Sequence, residues 1–272
     1  MLTSLNGAGQ MQRAPIHTRL CPIRGQARWP LSEAKSERPL IPSACDVAGG
    51  CYMTWQRPLW HLTHELTQPM TNTLYQNDLP DGLDLGPVVA IDCETMGLNP
   101  HRDRLCLIQM SGGDGNCHLV QVGKGQTKAP NLCKMLADPK VLKLFHFGRF
   151  DIAAMLNAFG VVTAPVYCTK IASKMVRTFT DRHGLKFLLQ DLVGVDISKH
   201  QQQSDWGAEN LSDAQLDYAA SDVLYLHKLR NELNRRLARE GRTEMAQACF
   251  DFLPMRAQLD LTGWPEIDIF AH

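Results

Sequence analysis

The sequence predicts a layered α/β or α+β domain with a mixed sheet, and three observations predict it. Between Val88 and Val122, three apolar runs rich in β-branched residues follow one another across short turns, as strands of a meander do. From Pro130 onward, short apolar runs alternate with segments of helical period. From Ser212 to about Arg239, Leu216, Ala219, Ala220, Val223, Leu226, Leu229, Leu233 and Leu237 keep the spacing of one helical stripe.

Taken in order, residues 1–69 stand apart. Seven prolines interrupt them and no helix or strand period is sustained. Seven basic residues against four acidic give this part +3, so residues 70–272 carry −3 in a chain of zero formal net charge. The stretch is expected to be a disordered or non-native N-terminal extension, with organised sequence starting at Met70. Thr73–Gln76 reads as an edge strand, Val88–Asp92 as a buried strand, then Arg104–Ser111 and Cys117–Val122. Pro130–Ala137 reads as a helix, Val141–His146 as a strand, and Gly148–Phe159 as a helix stopped by Gly160. Val166–Cys168 is a short strand, followed by helices over Thr169–Val176 and Leu185–Val193. Ser212 with Gln215 three residues on forms a capping box that starts the long helix. Thr243–Phe252 predicts a short terminal helix. The domain boundaries that result are 1–69, 70–240 and a helical tail at 241–272.

Composition narrows the function. With 28 basic and 28 acidic residues there is no global positive field, so a polyanion must be held by local basic patches or by metal. No apolar run reaches the ~18 residues a membrane span needs. Nine cysteines without a CxxC pair, several inside apolar runs, read as thiols of a reducing, cytoplasmic compartment and not as zinc ligands.

The chemistry concentrates at PVVAIDCETMGL, residues 87–98. Asp92 and Glu94 lie two apart on a strand, hence on one face. Adjacent carboxylates at the mouth of a buried strand repel unless a cation lies between them, and hard oxygen donors suit Mg2+ or Mn2+. Asp151 falls in the first turn of a helix, where the positive end of the dipole favours a carboxylate. Tyr218 and Asp222 stand at i and i+4 of the long helix, sharing a face, with small Ala219, Ala220 and Ser221 between them for close packing on the sheet. Four such carboxylates suit a two-metal site for in-line phosphoryl displacement.

Asp-Cys-Glu, then Phe-Asp, then Tyr-x-x-x-Asp, in this order, resembles the tyrosine branch (DEDDy) of the DEDD superfamily of 3′–5′ exonucleases. VVAIDCETMGL, RLCLIQ, HFGRFDIAAM and SDWGAENLSDAQLDYAASDVLYL look like bacterial ribonuclease D over roughly Leu74 to Arg239. The resemblance implies a ribonuclease H-like fold, an α/β mixed sheet flanked by helices, and two divalent ions, Mg2+ or Mn2+. By position it makes Asp92, Glu94, Asp151 and Asp222 the metal ligands and Tyr218 the residue placing the nucleophilic water. In the histidine branch a His would stand five residues before the last Asp, where this chain has Asp217. Ribonuclease D usually carries helical HRDC domains after the catalytic domain; residues 241–272 stand there, so the short form is expected.

The expected partner is nucleic acid with a free 3′ end, RNA in preference. Met96 and Leu98, just beyond the metal pair, are placed to pack on a terminal base. Lys170 and Lys174 belong to a basic run through Lys186 in which Asp181 is the one acid, and that run can hold phosphates. Trp206 is a further substrate-contact candidate and, like Phe150, can stack on a base or belong to the core, core being the preferred reading. His146 and Gln109 are expected to be buried hydrogen-bonding groups beside the site. The sequence does not separate RNA from single-stranded DNA as substrate, and a catalytically silent nucleic-acid-binding module of the same fold is the alternative from another class.

Overall fold

The computed structural model describes residues 71–198 and 200–271, and the expected N-terminal extension lies outside them. Among the described residues six strands, β1 (Asn72–Gln76), β2 (Val88–Thr95), β3 (Leu105–Ser111), β4 (Cys117–Gln121), β5 (Leu142–Phe145) and β6 (Val166–Cys168), form one sheet in the order β1-β4-β3-β2-β5-β6. The expected meander is β2-β3-β4, antiparallel throughout, while β1 on β4, β5 on β2 and β6 on β5 are parallel, so the sheet is mixed. The central strands are apolar on both faces because both are covered: Val89, Ala90 and Ile91 of β2 and every residue of β3 are buried.

Among the described residues seven helices flank the sheet: α1 (Pro130–Ala137), α2 (Arg149–Phe159), α3 (Thr169–Val176), α4 (Leu185–Leu192), α5 (Asp213–Leu224), α6 (Leu226–Arg239) and α7 (Thr243–Leu261). Helix α1 has no side-chain cap of its own. Asp78, fifty residues earlier in sequence, supplies it by accepting from the Asn131 and Leu132 amides at 3.0 and 2.9 Å. Ser212 and Gln215 form the capping box of α5 as expected. Lys143, fully buried in β5, donates from Nζ to the carbonyls of Asp138, Val141 and Ala164 and so clamps three connections together.

Three sequence expectations are corrected. Strand β2 runs three residues past Asp92, so the Asp-x-Glu pair lies within the strand and not at its end. The helix expected from Ser212 to Arg239 breaks at Tyr225. No Gly or Pro marks the break; α5 packs on β2, β3 and β4 whereas α6 packs on α3 and α4, and the bend lets one apolar stripe serve two different partners. The terminal helix extends to Leu261, through Pro254. A proline there removes one helical hydrogen bond, and burial of Leu253, Pro254 and Ala257, with α7 packed on α2 and β6, offsets that loss. Among the described residues no helix is long and apolar enough to cross a membrane.

Candidate active site

Strand β2 creates the site by outrunning its neighbour. Its pairing with β5 ends at Ala90, while its pairing with β3 continues to Thr95. The far half of β2 therefore has an open edge, beside the C-terminal end of the adjacent parallel strand, where crevices form in sheets of this kind. The chain leaving β5 turns through His146, Phe147 and Gly148 into α2, whose first turn brings in Asp151. The Asp151 carboxylate accepts the backbone N–H of Cys93, a group of that edge, as well as its own. Asp92 and Glu94 look out from one face of β2, with Cys93 buried on the other. Helix α5 crosses the sheet on buried Ala219 and Ala220, which carries Tyr218 and Asp222 to the carboxylate pair.

One carboxylate oxygen each of Asp92, Glu94 and Asp222 lies within 4.8 Å of the others. Asp151, 3% exposed, stands just outside this trio. Burial pushes the Asp92 carboxyl well above its usual range, Asp151, Asp222 and Glu94 push it further, and the Gln109 amide opposes them by donating to Oδ2 at 2.7 Å. Glu94 is pushed up to about 9 by burial and then by Asp222 and Asp151, and Asp151 to about 8 chiefly by burial. Four oxygen-donor side chains gathered in this way, with Asp92, Glu94 and Asp151 held up by burial and by neighbouring carboxylates, fit a hard divalent cation, whose charge offsets the repulsion. Tyr218 donates its phenol proton to Asp222, and burial together with the carboxylates drives its pKa upward.

These residues line a cleft of about 670 Å3 that also contains Met96, Leu98, Lys170 and Trp206. Met96 and Leu98 are exposed at its mouth. Gly207 makes room for Met96: a β-carbon there would run into the thioether. Trp206 is buried and packs on the Tyr218 ring at 6.0 Å between centroids, bracing the phenol from behind. Lys170 reaches the cleft; Lys174 is exposed and does not line it. The rest of the basic run is less free than its local sequence implies. Arg177 is buried against Asp191 at 2.7 Å, and Lys186 pairs with Asp196 at 3.1 Å, acids more remote in sequence. Gln109 is the buried hydrogen-bonding group expected; His146 shares a hydrogen bond from Nδ1 with Thr169 Oγ1 at 2.8 Å but is half-buried and lines the cleft itself.

Sequence reasoning missed several parts of the cleft wall: Phe147, Gly184 and Leu185 at the start of α4, Ile197, and the loop residues Gln202, Gln203 and Ser204. The loop has no period to read, and Phe147 owes its exposure to a backbone conformation that a phenylalanine does not advertise.

With this geometry in view, comparison with known proteins is specific. The family model described as 3′–5′ exonuclease matches residues 69–238. Ribonuclease D of Acidiphilium cryptum is 39% identical over 166 residues, covering 61% of this chain and 42% of that protein, so the chain spans less than half the length of that curated relative. Brucella melitensis NrnC, solved with bound Mg2+, is 58% identical with a TM-score of 0.72 and covers 75% of this chain and 100% of its own. The same nuclease bound to pGG is 59% identical, TM-score 0.73, covering 75% and 99%. The mixed six-stranded sheet with its flanking helices is thus the ribonuclease H-like exonuclease fold. The chain belongs to the 3′–5′ exonuclease family of phosphodiester hydrolases, in its ribonuclease D-like form.

Proposed function

We propose that this chain hydrolyses nucleotides from the 3′ ends of short RNA, with Asp92, Glu94, Asp151 and Asp222 holding two divalent ions, Mg2+ or Mn2+. The convergence of Asp92, Glu94 and Asp222 within 4.8 Å in one cleft carries the reading. Such ions, when bound, stabilise negative charge on phosphoryl oxygens and make water a better nucleophile. The chain's own part is positional. Asp151 fixes α2 to the open edge of β2 through the Cys93 amide. Tyr218, hydrogen-bonded to Asp222 and backed by Trp206, holds the attacking water beside the carboxylates. Met96 and Leu98 cover the terminal base, and Lys170 meets a phosphate. A short substrate is supported by the solved complex of Brucella NrnC with pGG. RNA is supported by the ribonuclease D relatives, and a reducing, cytoplasmic setting by the six free cysteines among the described residues.

The test uses 3′- and 5′-labelled oligonucleotides, from dinucleotides upward, in RNA and DNA versions, with Mg2+, Mn2+ or EDTA. Stepwise loss from the 3′ end that EDTA abolishes is expected, fastest on short RNA. Binding without cleavage under either metal would instead make the chain a silent binding module. Tyr218→Phe keeps the ring on Trp206 and removes the phenol, so kcat is expected to fall roughly 10- to 100-fold, as for other groups that orient a metal site's reactants, with Mn2+ affinity little changed by calorimetry. An unchanged kcat would assign the water to another group.

A further inference from the structure

Phe147 is unexplained by packing. Its ring is 47% exposed, it takes no part in the hydrophobic core, and its backbone sits at φ +67, in the left-handed region that a bulky side chain rarely adopts. Backbone of this kind persists where the surroundings over-determine it, and it gathers at binding and catalytic sites. The surroundings here do so. Phe145 before it is fully buried, His146 is tied to Thr169, which in turn donates to the Phe145 carbonyl, and Gly148 after it starts α2. The result is an aromatic ring standing in the cleft wall four residues before Asp151, with the Lys170 ammonium 3.9 Å from its centroid. A charge held against one face of the ring attracts it and favours one ring orientation. An exposed ring flanked by a cation, beside carboxylates that act on phosphodiesters, has the two elements single-stranded nucleic acid requires: a stacking surface for a base and a positive charge for the backbone.

We propose that Phe147 is a nucleobase-stacking residue of this cleft, presented by its left-handed backbone and braced by Lys170. The proposal rests on the exonuclease reading above and adds a specificity determinant to it. It is tested by steady-state kinetics of the full chain, wild type, Phe147→Gly and Phe147→Tyr, on a 5′-phosphorylated RNA trinucleotide and on versions abasic at the terminal or the penultimate nucleotide. Phe147→Gly is expected to raise KM for the intact substrate roughly 10- to 100-fold, the effect of losing one base–aromatic stack. By the same factor it is expected to shrink the wild-type preference for intact over abasic substrate at one of the two positions, which identifies the stacked base. Phe147→Tyr restores both. Glycine adopts φ +67 without strain, so the melting temperature is expected to stay within a few degrees of wild type and the loss cannot be laid to misfolding. Unchanged KM and base preference in Phe147→Gly would overturn the proposal, as would a loss that Phe147→Tyr leaves in place. Wild-type protein that fails to cleave the intact trinucleotide would strike the exonuclease reading itself, and the proposal with it.

Discussion

Asp92→Asn is expected to lower the rate of 3′-end hydrolysis by on the order of 10³-fold, the scale seen when a preorganised electrostatic group is removed from a reacting centre. Binding of the RNA itself is expected to survive. The substitution is nearly isosteric, and the Gln109 amide that donates to Oδ2 at 2.7 Å still has a carbonyl oxygen to meet, so the local packing is kept and the charge alone is lost. Asp222→Asn probes the same cluster from α5, where the side chain still faces Tyr218 across one helical turn. The metal-free variants supply a second readout. Burial and three neighbouring carboxylates all oppose ionisation of Asp92, so deleting its charge relieves repulsion and the metal-free Asp92→Asn protein is expected to melt no lower than wild type. A carboxylate retained for stability would behave in the opposite way. Turnover close to wild type in either variant would remove that residue from the mechanism. Unaltered turnover combined with a lower melting temperature would recast Asp92 as a structural acid.

What the sequence made legible was whatever local periodicity and spacing express. The apolar run before Asp92 places a buried strand, i and i+2 on that strand place two carboxylates on one face, and Tyr218 and Asp222 share a helical face by the same arithmetic. Six of the helices and strands from Pro130 onward begin and end within a residue of the expected positions, and Pro130, Gly160 and Ser212 punctuate three of the helices chemically. The features that escaped are held by partners distant in the chain. Asp78 caps a helix over fifty residues away, Asp191 neutralises an arginine counted as free, and α5 gives way to α6 because sheet and helices offer different surfaces to one apolar stripe. The terminal helix, expected to end at Phe252, runs on through Pro254 to Leu261, since tertiary burial outweighs one missing hydrogen bond. Phe147 escaped for a different reason. Its left-handed backbone is imposed by its neighbours' anchors, and nothing in a phenylalanine's own preferences signals it.

Gly148→Ala is the second substitution with a large expected effect, and it tests how the site is positioned instead of what it contains. Gly148 lies at φ −53, which alanine adopts freely, so the obstacle is space. An added β-carbon would meet Cβ and Cγ of Phe145 at 2.7 and 2.8 Å. Phe145 is fully buried and has nowhere to retreat, so the start of α2 must yield. Overpacking of this kind costs about 1–3 kcal/mol, and for a domain of this size that corresponds to a fall of roughly 2–4 °C in Tm per kcal/mol. The larger consequence is catalytic. Asp151 rides on the first turn of α2 and is located by the Cys93 amide, and a displacement near 1 Å at a reacting centre costs on the order of 10²-fold in rate. Gly160→Ala, at the other end of the same helix, separates the two effects. Gly160 caps α2 at φ +68 with open space where a β-carbon would go, so alanine there strains the backbone and lowers Tm without touching the cleft. The expected pair of results is lost stability with retained kcat/KM for Gly160→Ala, and a fall in kcat/KM far beyond the loss of stability for Gly148→Ala. Equal, purely thermal losses from both would mean that the position of Asp151 does not depend on how the chain enters the helix, and that the anchor to β2 alone sets the geometry of the fourth carboxylate.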